Sequence, residues 1–286
     1  LVISKNADGV DIDFELLPTN QRENLVLFME ELSFAFHLEM EDPIITMATP
    51  AIDWSNAWDY HSLAQITDGL FIMGYNYFYS GSSTAGPVSP LGDYYYDLEY
   101  TMLDYIDKTD SQLDKLILGL PYYGYDWPVE DELINSETTG YGIARIYSDA
   151  KTMSEQYGYN YSDDSQSAWF NYNNSAWHQC WYDDSLSLST KYEYIKTLDI
   201  KGVGIWALGY DDGHNELWGA LYDEFISTII GDLNFDDQVN IFDIILLVSI
   251  IVEQDTPYNQ NADLNSDGVI NVVDIIHMVT IVLESE

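Results

Sequence analysis

Residues 8–15 read Asp-Gly-Val-Asp-Ile-Asp-Phe-Glu, with carboxylates at 11, 13 and 15 and apolar side chains at 10, 12 and 14. Successive side chains of a β-strand point to opposite faces, so Asp11, Asp13 and Glu15 share one face and Val10, Ile12 and Phe14 the other. Three like charges on one buried face repel, and at least one is expected to keep its proton near neutral pH. A protonated carboxyl beside an ionised one is what a general acid requires. A second set of oxygen donors recurs near the C-terminus. Asp232, Asn234, Asp236, Gln238, Asn240 and Asp243 stand at positions 1, 3, 5, 7, 9 and 12 of one loop, and Asp263, Asn265, Asp267, Val269, Asn271 and Asp274 at the same positions of another. That spacing of hard oxygens suits Ca²⁺, with the residue at position 7 giving its backbone carbonyl.

These groups need elements to hold them. Short apolar runs at Gly9–Asp13, Ile44–Ala48, Gly69–Tyr75, Leu116–Leu120 and Gly202–Trp206 predict strands. Amphipathic stretches such as Gln21–Glu39 and Lys191–Thr197 lie between them, the alternation of β-α units around a parallel sheet. The stretch Pro128–Gln179 is too long for an ordinary β-α loop and predicts a small insertion, about 128–179. The composition changes near residue 230, which divides the chain into an α/β domain over 1–229 and a second domain over 230–286. The second domain is an internal repeat: Asp232–Val252 and Asp263–Leu283 align at an offset of 31 with 10 of 21 positions identical. Thr256-Pro257 joins the two copies. Ile244–Val252 is strongly apolar and has to be covered, by the sister helix or by a partner.

The 286 residues carry 49 Asp+Glu against 9 Lys+Arg, a formal net charge of −40, which argues against nucleic acid or an anionic membrane surface as partner. Hydrophobic residues at 47% are enough to build a core, so the acidity is not that of a disordered tail. One cysteine, Cys180, rules out an internal disulfide. No apolar run is long enough to span a membrane, and His37, His61, His178, His214 and His277 show no ligand-like spacing.

The segment at 8–15 resembles the Asp-Gly-x-Asp-x-Asp-x-Glu signature on the fourth barrel strand of family 18 glycoside hydrolases, the chitinase-type enzymes. Met73-Gly74-Tyr75-Asn76 is similar to the sixth-strand Met-x-Tyr-Asp of that family, and Gly86–Leu91 to the loop after it. Gly119–Gly124 resembles the seventh strand and Gly202–Trp206 the eighth. The runs Tyr123–Trp127 and Trp181–Asp184 look like the branch acting on bacterial wall glycans and chito-oligosaccharides. The resemblance implies a (β/α)8 TIM barrel whose first three strands are missing here, so that this is expected to be a fragment of a longer protein, to which the activity belongs and without which the fragment is not expected to show it. It implies retaining, substrate-assisted hydrolysis of β-1,4-linked N-acetylglucosamine polymers, chitin or its oligomers. Glu15 would be the general acid, Asp13 would orient the N-acetyl group that attacks the anomeric carbon, and Asp11 would share a proton with Asp13. Tyr75 would hydrogen-bond the acetamido carbonyl, Trp206 would floor the sugar before the cut, and Met73, Asn76, Tyr123 and Tyr125 would line the pocket. Asn76 replaces the family's Asp and removes one charge. Peptidoglycan or an N-glycan core as substrate, and a non-catalytic chitin-binding lectin, are the alternatives.

The C-terminal repeat resembles a type I dockerin, a small all-α module that binds Ca²⁺ at two sites and docks secreted enzymes onto cohesin-bearing partners. The resemblance implies a cohesin-type scaffold or cell-surface partner and an extracellular location. Asp237 stands where position 6 of the first loop usually has Gly, while Gly268 keeps it in the second. Ile241-Phe242 and Val272-Val273 replace the Ser or Thr usual at the docking positions, and the usual Lys or Arg further along is absent.

Overall fold

A computed structural model of the chain describes residues 2–225, 229–234, 236, 238–253 and 259–284. Two units are present, Leu1–Ala220 and Leu221–Glu286. Asp237 and Thr256-Pro257 lie outside the described residues.

In the first unit the five apolar runs form strands β1 (Gly9–Ile12), β2 (Ile44–Pro50), β3 (Gly69–Met73) and β4 (Leu116–Pro121), and, later in the chain, β10 (Gly202–Trp206). They pair in parallel in the order β1-β2-β3-β4-β10, so sequence neighbours within this set are neighbours in space. Helices α1 (Arg22–Glu39), α2 (Tyr60–Ile66) and α3 (Leu98–Lys108) alternate with the strands, as β-α units require. Asp59 and Asp97 start α2 and α3 by accepting the amide protons of Ser62 and Tyr100, so part of the acidic excess caps helices. The core lies between sheet and helices, where Ile45, Met47, Leu70, Ile72, Leu118, Leu63 and Met102 are all fully buried. On the sheet's other face the ring of Phe71 lies over β4 and β10. A Cβ at Gly119 would come within 2.4 Å of that ring and one at Gly204 within 2.1 Å, so both strands need glycine there.

A second sheet is inserted between β4 and β10. Its strands β5 (Tyr123–Val129), β6 (Ile143–Ile146), β7 (Asn160–Ser162), β8 (Ser167–Asn173) and β9 (Trp177–Tyr182) are antiparallel, in the order β6-β5-β9-β8-β7, with helix α4 (Tyr147–Tyr157). It begins before and ends after the 128–179 stretch marked by the sequence, because Tyr123–Trp127 turns straight from β4 into the new sheet. Cys180 is buried on β9, where desolvation, then the charge of Asp126, pushes its thiol well above the ordinary range. Helix α5 (Ser185–Thr197) follows, capped by Asp184 and tied back by a fully buried ion pair between Lys191 and Asp183. Helix α6 (Glu216–Phe225) comes after β10.

In the second unit, helices α7 (Ile241–Glu253) and α8 (Val272–Glu284) pack on each other around Leu233, Leu247, Ala262 and Met278. The apolar run is only partly covered: Leu247 is buried, whereas Ile245 and Val252 stay exposed, as do Ile276 and Leu283 at the matching positions of α8. Among the described residues no helix is long and apolar enough to cross a membrane.

The Lys191–Asp183 pair gives a test of what holds the inserted sheet to the rest of the unit. Lys191→Met leaves a buried carboxylate without its cation and is expected to lower stability by about 3–5 kcal/mol. Adding Asp183→Leu is expected to recover most of that loss, as read by chemical denaturation.

Candidate active site

The C-terminal ends of the five parallel strands converge on one cleft, the end where βα-loops build sites in barrels of this kind. A cavity of about 300 Å³ is lined by Asp13 and Glu15 just past β1, Met73, Tyr75 and Asn76 at the end of β3, and Trp206 closing β10. Tyr123 and Tyr125 come from β5, Ala144 and Ile146 from β6, and Tyr210 from the segment after β10. An adjoining cavity of about 260 Å³ shares Glu15, Met73, Tyr75 and Asn76 and continues over Ile52, Trp54, Tyr77, Tyr79 and Tyr96. Glu15 therefore lies at the junction of two chambers, with Asp13 on one side.

Eight of the nine residues singled out from the sequence for this site line the first chamber. Asp11 does not: it lies one alternation deeper on β1, and its carboxylate accepts a 2.6 Å hydrogen bond from the Thr46 hydroxyl on β2. The carboxylate face expected to be buried is open among the described residues: Asp11, Asp13 and Glu15 are solvent-exposed, and β1 pairs with β2.

The electrostatic consequence appears instead on Tyr75. Burial first, and then the charges of Asp13, Glu15 and Asp11, push its phenol well above the ordinary range. The sign matters: a raised value keeps the hydroxyl protonated, and so a hydrogen-bond donor, from acid through neutral to mildly alkaline pH. Tyr123 stands edge-on to Tyr75 with ring centroids 6.0 Å apart, and donates from its own hydroxyl to Asn76 Oδ1 at 2.7 Å. Asn76 has φ 63°, in the left-handed region that Asn tolerates better than most residues. With Oδ1 occupied by Tyr123, the amide keeps its Nδ2 protons for the cleft. Trp206 is 48% exposed, so it is a wall of the cleft and not filling for the barrel interior.

Sequence reasoning missed Tyr210, Ala144 and Ile146, which belong to no motif, and left Trp54 undivided among the tryptophans. Exposure separates them: Trp54 is 76% exposed at the rim of the second chamber, whereas Trp127 and Trp181 are fully buried.

The loops of the second unit present oxygen donors in near-identical arrangements. Asp243 accepts amide protons from Leu233, Asn234 and Asn240, and Asp274 from Leu264, Asn265 and Asn271. Asp236 and Asp267 each accept from the Asn two residues before, and Asp263 also accepts from the Gly268 amide. Gln238 and Val269 donate their amides to Asp236 and Asp267. Asp232, Asp243, Asp263 and Asp274 are buried, and residues 221–286 contain no Lys or Arg. Among the described residues no three His, Cys, Asp or Glu side chains gather as a metal group by themselves. A cation there would also need the Asn amides and backbone carbonyls, a hard all-oxygen set that fits Ca²⁺ and compensates buried carboxylates.

Asn76 provides a stability test of the site. Asn76→Ala loses the Tyr123 hydrogen bond and strains a left-handed backbone, together about 2–3 kcal/mol. Asn76→Gly loses only the bond and is expected to cost about 1 kcal/mol in the same denaturation experiment.

Comparisons with known proteins agree with this architecture. The profile of glycosyl hydrolases family 18 matches residues 1–211, and that of the dockerin type I domain matches residues 230–280. The putative sporulation-specific glycosylase YdhD of Bacillus subtilis is 29% identical over 222 residues, covering 74% of this chain and 50% of that protein. The chain thus spans about half the length of that relative. Mouse di-N-acetylchitobiase (Mus musculus) is 26% identical over 250 residues, covering 75% of this chain and 66% of that protein. The crystal structure of Ostrinia furnacalis Group IV chitinase with allosamidin superimposes with a TM-score of 0.71 at 18% identity, covering 78% of this chain and 69% of that one, a likeness of fold. With the profile spanning most of its length and the fold in agreement, this chain belongs to glycosyl hydrolases family 18, and a type I dockerin domain follows in its C-terminal region.

Proposed function

We propose that the first unit hydrolyses β-1,4-linked N-acetylglucosamine polymers, chitin or chito-oligosaccharides, with retention at the anomeric carbon. The observation that carries the reading is the meeting of Asp13, Glu15, Tyr75 and Trp206 around one sugar-sized cavity. Glu15, exposed between two chambers, is positioned to protonate the glycosidic oxygen. As that C–O bond breaks, the carbonyl oxygen of the substrate's own acetamido group attacks the anomeric carbon, so that no protein carboxylate serves as nucleophile. Asp13 receives the acetamido N–H, and the protonated Tyr75 hydroxyl donates to its carbonyl. Water then opens the intermediate, giving its proton to the Glu15 carboxylate. Met73, Asn76, Tyr123 and Tyr125 shape the pocket, and the exposed ring of Trp206 takes the apolar face of the sugar. Asp11 acts through the strand: held by Thr46, it sets the end from which Asp13 projects.

The second unit, on this reading, binds Ca²⁺ at two sites through Asp232, Asn234, Asp236, Gln238, Asn240 and Asp243, and through Asp263, Asn265, Asp267, Val269, Asn271 and Asp274. It attaches the enzyme to a cohesin-type partner outside the cell, through the exposed apolar positions of α7 and α8. The name of the chitobiase relative, and the fold shared with chitinases, support a chitin-type substrate.

Chitin hexamer is the test substrate. Glu15→Gln is expected to lower kcat by about 10³-fold while leaving binding, and the first products of the unaltered protein are expected to carry the β configuration. Binding of the hexamer without cleavage by either protein would replace this reading with the lectin one. For the second unit, chelation of Ca²⁺ is expected to abolish its separate thermal transition while that of the first unit keeps its Tm.

A further inference from the structure

The cleft is distinguished by the charges it lacks as much as by those it holds. Among the described residues neither chamber is lined by a Lys, Arg or His side chain, whereas Glu15 serves both and Asp13 the first. The chain's 9 basic residues are committed elsewhere. Arg22 is bound to the Trp58 carbonyl and Asp59, Lys108 to Asp104, Lys115 to the Thr67 carbonyl, Arg145 to Asp126, Lys151 to Glu155 and Lys191 to Asp183. Lys5 and Lys201 precede β1 and β10, and Lys196 sits in the last turn of α5, where a cation suits the helix C-terminus. All three stand where strands begin, and the cleft is where strands end. With a formal net charge of −40 on the chain, these two chambers disfavour anions and favour cations.

The second chamber adds a feature specific to cations. Trp54 is 76% exposed at its rim and is supported edge-on by Tyr96, with ring centroids 4.9 Å apart, and the exposed Tyr79 belongs to the same lining. An ammonium group lodged there meets aromatic faces within the negative field of the acidic chain, both attractive to positive charge. The first chamber differs, since its acetamido-reading groups require an intact N-acetyl group.

We propose that the second chamber prefers a glucosamine unit, the de-N-acetylated and cationic form, so that the enzyme favours partly deacetylated N-acetylglucosamine polymers and discriminates against anionic wall glycans. This rests on the substrate-assisted reading, which places the obligatory acetyl group on the sugar in the first chamber and the leaving sugar in the second. Cleavage then leaves N-acetylglucosamine at each new reducing end and glucosamine, above its average frequency, at each new non-reducing end.

The experiment compares kcat/KM on three substrates at about pH 6, where the amine is protonated. They are fully acetylated chitin hexamer, a hexamer carrying glucosamine at defined positions, and a wall-glycan strand bearing lactyl carboxylates. At low salt the mixed hexamer is expected to be cleaved about fivefold faster than the acetylated one and the carboxylate-bearing strand several-fold slower, with both differences collapsing near 0.5 M salt as screening shortens the field. Mass spectrometry of the products reads the end-group bias, and Trp54→Ala is expected to lower the ratio of mixed to acetylated rates, a ratio that does not depend on how much protein is folded. Equal rates on the two hexamers, or an anionic strand cleaved best at low salt, would overturn the proposal while leaving the hydrolase reading in place. Cleavage of none of the three would remove the hydrolase reading and this proposal with it.

Discussion

The placement of the proposed acid depends on one backbone pairing. β1 is a strand of four residues, and its register against β2, Gly9 opposite Ile44 through Ile12 opposite Met47, aims Asp13 and Glu15 into the cleft. The approach is close enough that a Cβ at Gly9 would fall 1.6 Å from the Ile44 carbonyl oxygen, so glycine is obligatory at the start of the strand. The Thr46–Asp11 hydrogen bond adds a side-chain lock on the same two strands. A slip of one residue would turn every carboxylate to the opposite face and carry the site away, while barely changing the apolar content of the strand.

Around that pairing the cleft is built from rings more than from charges. Tyr75, Tyr123, Tyr125 and Tyr210 contact one another edge to face, with Tyr123 at the centre, and burial holds the phenols of Tyr75, Tyr123 and Tyr125 in the protonated form. Such a wall is stiff, because aromatic side chains have few torsions and interlock. The two exposed carboxylates, Asp13 and Glu15, stand against that wall. The substitution of Asn for Asp at position 76 belongs to the same design: a neutral amide accepts from Tyr123 and donates onward, giving orientation without another negative charge next to Tyr75.

The five parallel strands were legible in the sequence almost to the residue, since short apolar runs bounded by turns have few other uses in a β-α chain. The cleft residues were legible where a motif carries them, as with Glu15, Tyr75 and Trp206. Tyr210, Ala144 and Ile146 were not, because they reach the cavity through loops and the inserted sheet, and no local spacing encodes that approach. The inserted sheet itself was underestimated: its strands alternate aromatic and small residues on two largely covered faces, and so lack the apolar-polar rhythm of an exposed strand.

Cys180 has a practical meaning beyond its place in β9. As the single thiol, enclosed by the inserted sheet and held in its unreactive protonated form, it neither crosslinks the fold nor offers a nucleophile to oxidants. Folding of this chain is therefore indifferent to the redox potential around it. The same native state is available in a reducing cytoplasm, in an oxygen-free environment and in aerated solution, and handling the protein calls for neither a reductant nor an oxidising host.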